Sequence, residues 1–207
     1  MADEPDYFWL LNNDTLVDSQ SLCELVQHAA GHPGLKWLGP SIVDAKNDQI
    51  ISYGGYLYCD ALSVALPVKK HGNSADYLDG AAMFLCAKAL KEIYLIPEKS
   101  FLYFEELHLA RAFAERGYSW GTCETAFVTH IGGSSTATLG ARKKTYYSTY
   151  AALEYTWEFS PIFIPSVLFA RLTKATLDCV ITFNLDPLLG FGSAIISFCF
   201  ADFRRQR

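Results

Sequence analysis

Apolar residues along this chain arrive in short runs, each stopped by a polar cluster. Tyr7-Phe8-Trp9-Leu10-Leu11 is the first run, and it ends at Asn12-Asn13-Asp14-Thr15. Five consecutive aromatic and aliphatic residues predict a buried strand, of the kind a parallel sheet covers on both faces. Leu22, Leu25, Val26 and Ala29 then recur at helical spacing. They predict a helix from about Asp18 or Ser19, with Ser21-Leu22-Cys23-Glu24 as a capping box and Gly31 and Pro33 as its stop.

Residues 35–43 predict another strand, and residues 50–58, broken by Gly54-Gly55, a hairpin or bent ribbon. Residues 77–86 are apolar with Asp79-Gly80 inside the run, where a glycine marks a bulge or a close backbone approach. A short helix follows over 87–93. A second one over 105–116 has Leu107, Ala110, Arg111 and Ala114 in periodic positions and Gly117 as its C-terminal stop. Residues 118–123 and 126–129 predict two short strands, His130-Ile131-Gly132-Gly133-Ser134-Ser135 a loop, and residues 142–159 a helix. Strand, polar loop, helix is the unit of an α/β fold, with ligands held at the carboxyl end of the strand.

Charge divides the chain. Residues 1–141 hold 9 Lys+Arg against 17 Asp+Glu, whereas residues 142–207 hold 8 against 5. The body is acidic, so a general nucleic-acid partner is excluded: too little positive charge is present to neutralise a phosphate backbone. A domain is expected over 1–141, followed by an apolar helical tail over 142–207. The longest uncharged stretch of that tail, 187–201, is shorter than the ~20 residues a membrane-spanning helix needs. Arg171, Lys174, Arg204, Arg205 and Arg207 lie among its Phe, Leu and Ile residues. Two readings stand side by side: peripheral contact with anionic headgroups, or helices packing back on the domain. At 207 residues and 51% apolar, the chain has enough material for a full core. The six cysteines form no CxxC pair, and they are expected to be reduced, in a cytoplasmic protein. The polar, acidic start is not that of a signal peptide.

Three polar clusters each follow an apolar run. Asn12 and Asp14 offer oxygen ligands for Mg²⁺ or Mn²⁺, or simply make a turn. Glu105 and Glu106 offer a general base, or complement the positive end of a helix. His130 is a metal ligand or an ordinary strand-end histidine. Gly132, Gly133 and Ser134 after it allow close approach to a diphosphate.

The order of these clusters carries a resemblance. Leu11-Asn12-Asn13-Asp14-Thr15 resembles the LNxD segment of rhamnosyltransferase-like family 2 glycosyltransferases. Residues 77–85 (YLDGAAMFL) resemble their acceptor-side strand, and residues 101–109 (FLYFEELHL) their FxYxEDxDL segment, with Arg111 and Arg116-Gly117-Tyr118 following in the family's order. Residues 128–134 (VTHIGGS) resemble their HxGGS segment. Two positions differ: Glu106 stands where the family has Asp, and His108 replaces a second acid.

The resemblance implies a truncated GT-A fold, a Rossmann-like mixed sheet flanked by helices. The chain would be its C-terminal portion, without the first nucleotide-binding units. It implies an inverting, metal-dependent transferase that moves a sugar from a nucleotide-diphosphate donor to a glycan or lipid-linked acceptor, in polysaccharide or glycolipid synthesis at the inner face of a membrane. The implied roles are Glu106, with Glu105 as alternate, for the base; Asp14, Asn12 and His130 for Mn²⁺ or Mg²⁺; Asp79 and Gly80 for the acceptor; Gly132, Gly133 and Ser134 for the diphosphate. The alternative is an inactive remnant that acts as a binding module.

Overall fold

The computed structural model describes residues 4–58, 64–67, 75–94, 102–131 and 138–205. They divide into two compact units. One holds 4–57, 65–67, 75–94 and 105–131, and the other holds 58, 64, 102–104 and 138–205.

The first unit is mixed α/β. Strands β1 (Tyr7–Leu11), β2 (Thr15–Val17), β3 (Leu35–Asp44), β7 (Ala82–Cys86) and β8 (Ser119–His130) form a sheet in the order β1-β7-β3-β8-β2, and β4 (Ile50–Ser52) pairs with β3. Only β3 and β8 run parallel. Strands β5 (Gly55–Tyr58) and β6 (Val64–Pro67) form a separate two-stranded ribbon. The helices are α1 (Ser21–Gly31), α2 (Ala87–Glu92) and α3 (Glu105–Glu115).

Alternation along β3 decides what covers the sheet. Successive side chains point to opposite faces. Leu38 joins Leu25 and Ala29 of α1 in one buried cluster with Phe84, Cys123 and Ala126. Its neighbour Trp37 meets Phe113 of α3 edge-on, with ring centroids 6.0 Å apart. Helices α1 and α3 therefore cover opposite faces.

Several expectations change. The first strand is an antiparallel edge strand with β7 on one side, not the central strand of a parallel sheet. It is apolar because Tyr7 stacks on Phe84 at 4.7 Å and Trp9 packs on the same ring, while Phe8 and Leu11 are exposed. Ser21 does not cap α1. Its buried hydroxyl donates to the carbonyl of Phe127 and accepts from the same residue's N–H, both at 2.8 Å, which stitches the helix start to β8. The two strands expected over 118–129 are one strand, β8, whose register against β3 shifts at Pro40/Ser41. Asp79-Gly80 lies in a turn ahead of β7 rather than inside a strand.

In the second unit, α4 (Ala141–Phe159), α5 (Ile164–Thr182) and α6 (Asp186–Arg205) pack together. Helix α6 crosses α4 closely at Gly190, where an added Cβ would lie 2.3 Å from the Arg142 carbonyl oxygen. Arg171 sits 5.9 Å from the centre of the Phe104 ring, and desolvation lowers its pKa to about 10. That guanidinium lies against protein, as the packing reading of the tail has it. No helix among the described residues is long and apolar enough to cross a membrane.

The closest approach at a glycine among the described residues of the first unit is at Gly55, beside the turn that precedes β7. A Cβ there would lie 2.1 Å from Cζ of the buried Tyr77 ring. Gly55→Ala must displace that ring, and the expected destabilisation is about 1–3 kcal/mol. Urea unfolding of the variant tests this; an unchanged midpoint would show that Tyr77 moves without cost.

Candidate functional site

The site begins where β1 ends. The last residue of β1, Leu11, pairs with Ala82, the first of β7, so the polar segments beyond both lie at one end of the sheet. The Asn12 N–H donates to the Ala81 carbonyl at 2.9 Å and holds the two segments side by side. Asn12 then accepts from Thr15 twice, through the hydroxyl at 2.7 Å and the N–H at 3.3 Å, which closes the turn that carries Asp14.

Asp14 is buried, and its Oδ1 lies 3.3 Å from Nε2 of His130. The register of β2 against β8 sets this pair. Thr15 lies opposite His130, and the Ile131 N–H donates to the Asp14 carbonyl at 2.9 Å. Asn12 and Asn13 are exposed beside it.

On the Ala81 side, Asp79 Oδ1 accepts from the Ala81 N–H at 2.9 Å and shapes the turn. Gly80 faces Glu106: a Cβ on Gly80 would lie 3.7 Å from Glu106 Oε2. Glu106 reaches this position from the first turn of α3. The two residues ahead of α3, Tyr103 and Phe104, both have φ of 71°, a left-handed conformation that costs non-glycine residues of order 1–3 kcal/mol each. Within the second unit Phe104 is buried and its ring lies 5.6 Å from that of Tyr155.

Burial pushes the Glu106 carboxyl up from its ordinary 4.5 to about 7, with Glu105 and Asp79 adding to the shift. A carboxyl poised there exchanges protons near neutral pH, as a general base must. Tyr77 completes this side. Burial raises its phenol well above the usual value, and the charges of Glu106, Asp79 and Asp76 raise it further, so it stays a neutral donor.

Asp14, Asn12 and His130 thus form one group, and Glu106, Glu105, Asp79 and Gly80 another, joined through Asn12–Ala81. Gly132, Gly133 and Ser134 lie outside the described residues. Sequence reasoning missed Tyr77. The signal available was the Gly54-Gly55 pair, whose second glycine leaves room for this ring. His108, at the position where the resemblance has an acid, is buried in α3. Among the described residues no three His, Cys, Asp or Glu side chains form a metal-binding group.

A carboxyl near 7 in the fold and near 4.5 when unfolded binds more protons in the folded state. Stability therefore falls as pH rises from about 4.5 to about 7, and stays level above. Glu106→Gln removes that loss. The variant is expected to exceed the parent by on the order of 2–3 kcal/mol near pH 8 and to match it near pH 4.5. Urea unfolding at both pH values checks this, and equal stability near pH 8 would contradict it.

Compared with known proteins, the chain matches no family model and no curated sequence.

Proposed function

We propose that the chain is part of an inverting glycosyltransferase of the GT-A type. The observation that supports this reading is the Asn12–Ala81 hydrogen bond, which joins the turn carrying the Asp14–His130 pair to the turn whose Gly80 faces the desolvated Glu106. Diphosphate departure and hydroxyl deprotonation, the two halves of sugar transfer, need these two kinds of group next to each other.

The ligand chemistry suits a divalent cation. Asp14 supplies a buried carboxylate, His130 an imidazole 3.3 Å away, and Asn12 an amide in the same turn. Mg²⁺ is usually held by one or two carboxylates plus substrate phosphates and water, so a two- or three-residue protein set is enough. When bound, such a cation supplies Lewis-acid stabilisation of the departing nucleoside diphosphate.

The rest is work for the chain's own residues. Asp79 and Gly80 line the acceptor side, and Gly80 has no side chain to separate an acceptor from Glu106. Glu106 takes the proton of the acceptor hydroxyl. The freed oxygen pair forms the new bond to the anomeric carbon from the face opposite the diphosphate, and the bond to the diphosphate oxygen breaks with its electrons. One displacement with one base inverts the configuration and needs no protein nucleophile.

A second reading, a binding module without turnover, rests on Glu106 standing where the resembled segment has Asp. Calorimetry with UDP- and dTDP-sugars plus Mn²⁺, run beside a transfer assay on the same donors, separates the two. Transfer is expected in the parent, rising with pH through about 7. Glu106→Gln should lower it by about 10²–10⁴ with donor affinity unchanged. Donor binding with no transfer would favour the module, and near-parental transfer by Glu106→Gln would remove Glu106 from the mechanism.

A further inference from the structure

One end of the second unit joins bare apolar side chains to a cluster of cations. The turn between α5 and α6 leaves Val180, Ile181, Phe183 and Leu185 exposed at 65%, 74%, 96% and 68%. Phe183 also takes a left-handed backbone, φ 50°, a conformation usually left to glycine or asparagine at a helix end. A large aromatic side chain held in water gains nothing from the fold around it.

Helix α4 starts at the same end. The close approach of its Arg142 carbonyl to Gly190, and the hydrogen bond from the Arg142 guanidinium to Ser193 Oγ at 3.5 Å, fix that start beside the second turn of α6. Arg142, Lys143 and Lys144 therefore stand toward the end of α6 that the apolar turn leads into, about one helical turn along it, with Arg142 and Lys143 exposed. The nearby carboxylates are engaged locally. Asp178 pairs with Lys174 at 2.6 Å, and Asp186 accepts from the Asn184 side chain at 3.2 Å.

We propose that this end is a docking surface for an anionic lipid bilayer. Val180, Ile181, Phe183 and Leu185 enter the boundary between headgroups and acyl chains, and Arg142, Lys143 and Lys144 meet the lipid phosphates. The chemistry is that of peripheral binding, apolar area plus attraction to anionic headgroups. No helix among the described residues is able to cross, so the contact is interfacial. A second copy docked end to end is the poorer occupant, because it would set two Arg-Lys-Lys clusters against each other across a two-fold axis. The inference does not depend on the glycosyltransferase reading.

Flotation of the full chain with vesicles of phosphatidylcholine, alone or with about 30% phosphatidylglycerol, tests it. The chain is expected to float with the anionic vesicles, to stay behind with the neutral ones, and to be released by roughly 0.5 M salt. Replacing Arg142, Lys143 and Lys144 together by Gln should weaken partitioning by roughly fivefold per cation. Ile181→Asp with Phe183→Asp should abolish it while leaving the melting temperature unchanged, since both side chains are exposed. No flotation of the parent, or undiminished flotation of that double variant, would overturn the proposal. So would self-association seen by sedimentation that the double variant removes.

Discussion

One backbone register organises the first unit. Pairing Leu11 with Ala82 ends two antiparallel strands at the same level, and the Asn12–Ala81 hydrogen bond extends the pairing into the segments beyond. A shift of one residue would turn every β1 side chain to the other face. Tyr7 and Trp9 would leave Phe84, and the Asn-Asn-Asp segment would lose its place beside Gly80. The aromatic packing of an edge strand and the placement of the polar site are thus one constraint.

The same end of the sheet concentrates cost. A glutamate pushed to about 7 opposes folding when ionised. Against this stand the buried clusters on the two sheet faces, where Leu25, Leu38, Trp37 and Phe113 are almost wholly removed from water. The sheet thus carries a group that burial destabilises in its charged form at one end.

Much of this was legible in the residues. The runs at 7–11, 35–43 and 105–116 set their elements to within a residue or so, because apolar runs and a C-terminal glycine are local signals. Gly117, with φ 70° and its N–H bonded to the Ala114 carbonyl, ends α3 as its position implied. Strand partners are not local. Tyr7-Phe8-Trp9-Leu10-Leu11 reads the same in a central parallel strand and in an aromatic edge strand. The order of Asn12, Asp79, Glu106 and His130 was visible, but not their meeting at one end, which the register decides. Ser21 matched a capping pattern, yet Phe127, distant in sequence, uses both its donor and its acceptor. Tyr77 was hidden inside an apolar run, since its role depends on a glycine in another strand.

The proposed function requires the Asp14–His130 pair and the Glu106–Gly80 pair to form a single site. Paramagnetic broadening by Mn²⁺ bound in the presence of a nucleoside diphosphate measures this directly. The amide signals of Asp14, Ile131, Gly80, Ala81 and Glu106 are expected to broaden together, and Asp14→Ala is expected to remove the effect from all of them. Broadening near Asp14 that leaves Gly80 and Glu106 sharp, or broadening that survives Asp14→Ala, would contradict it.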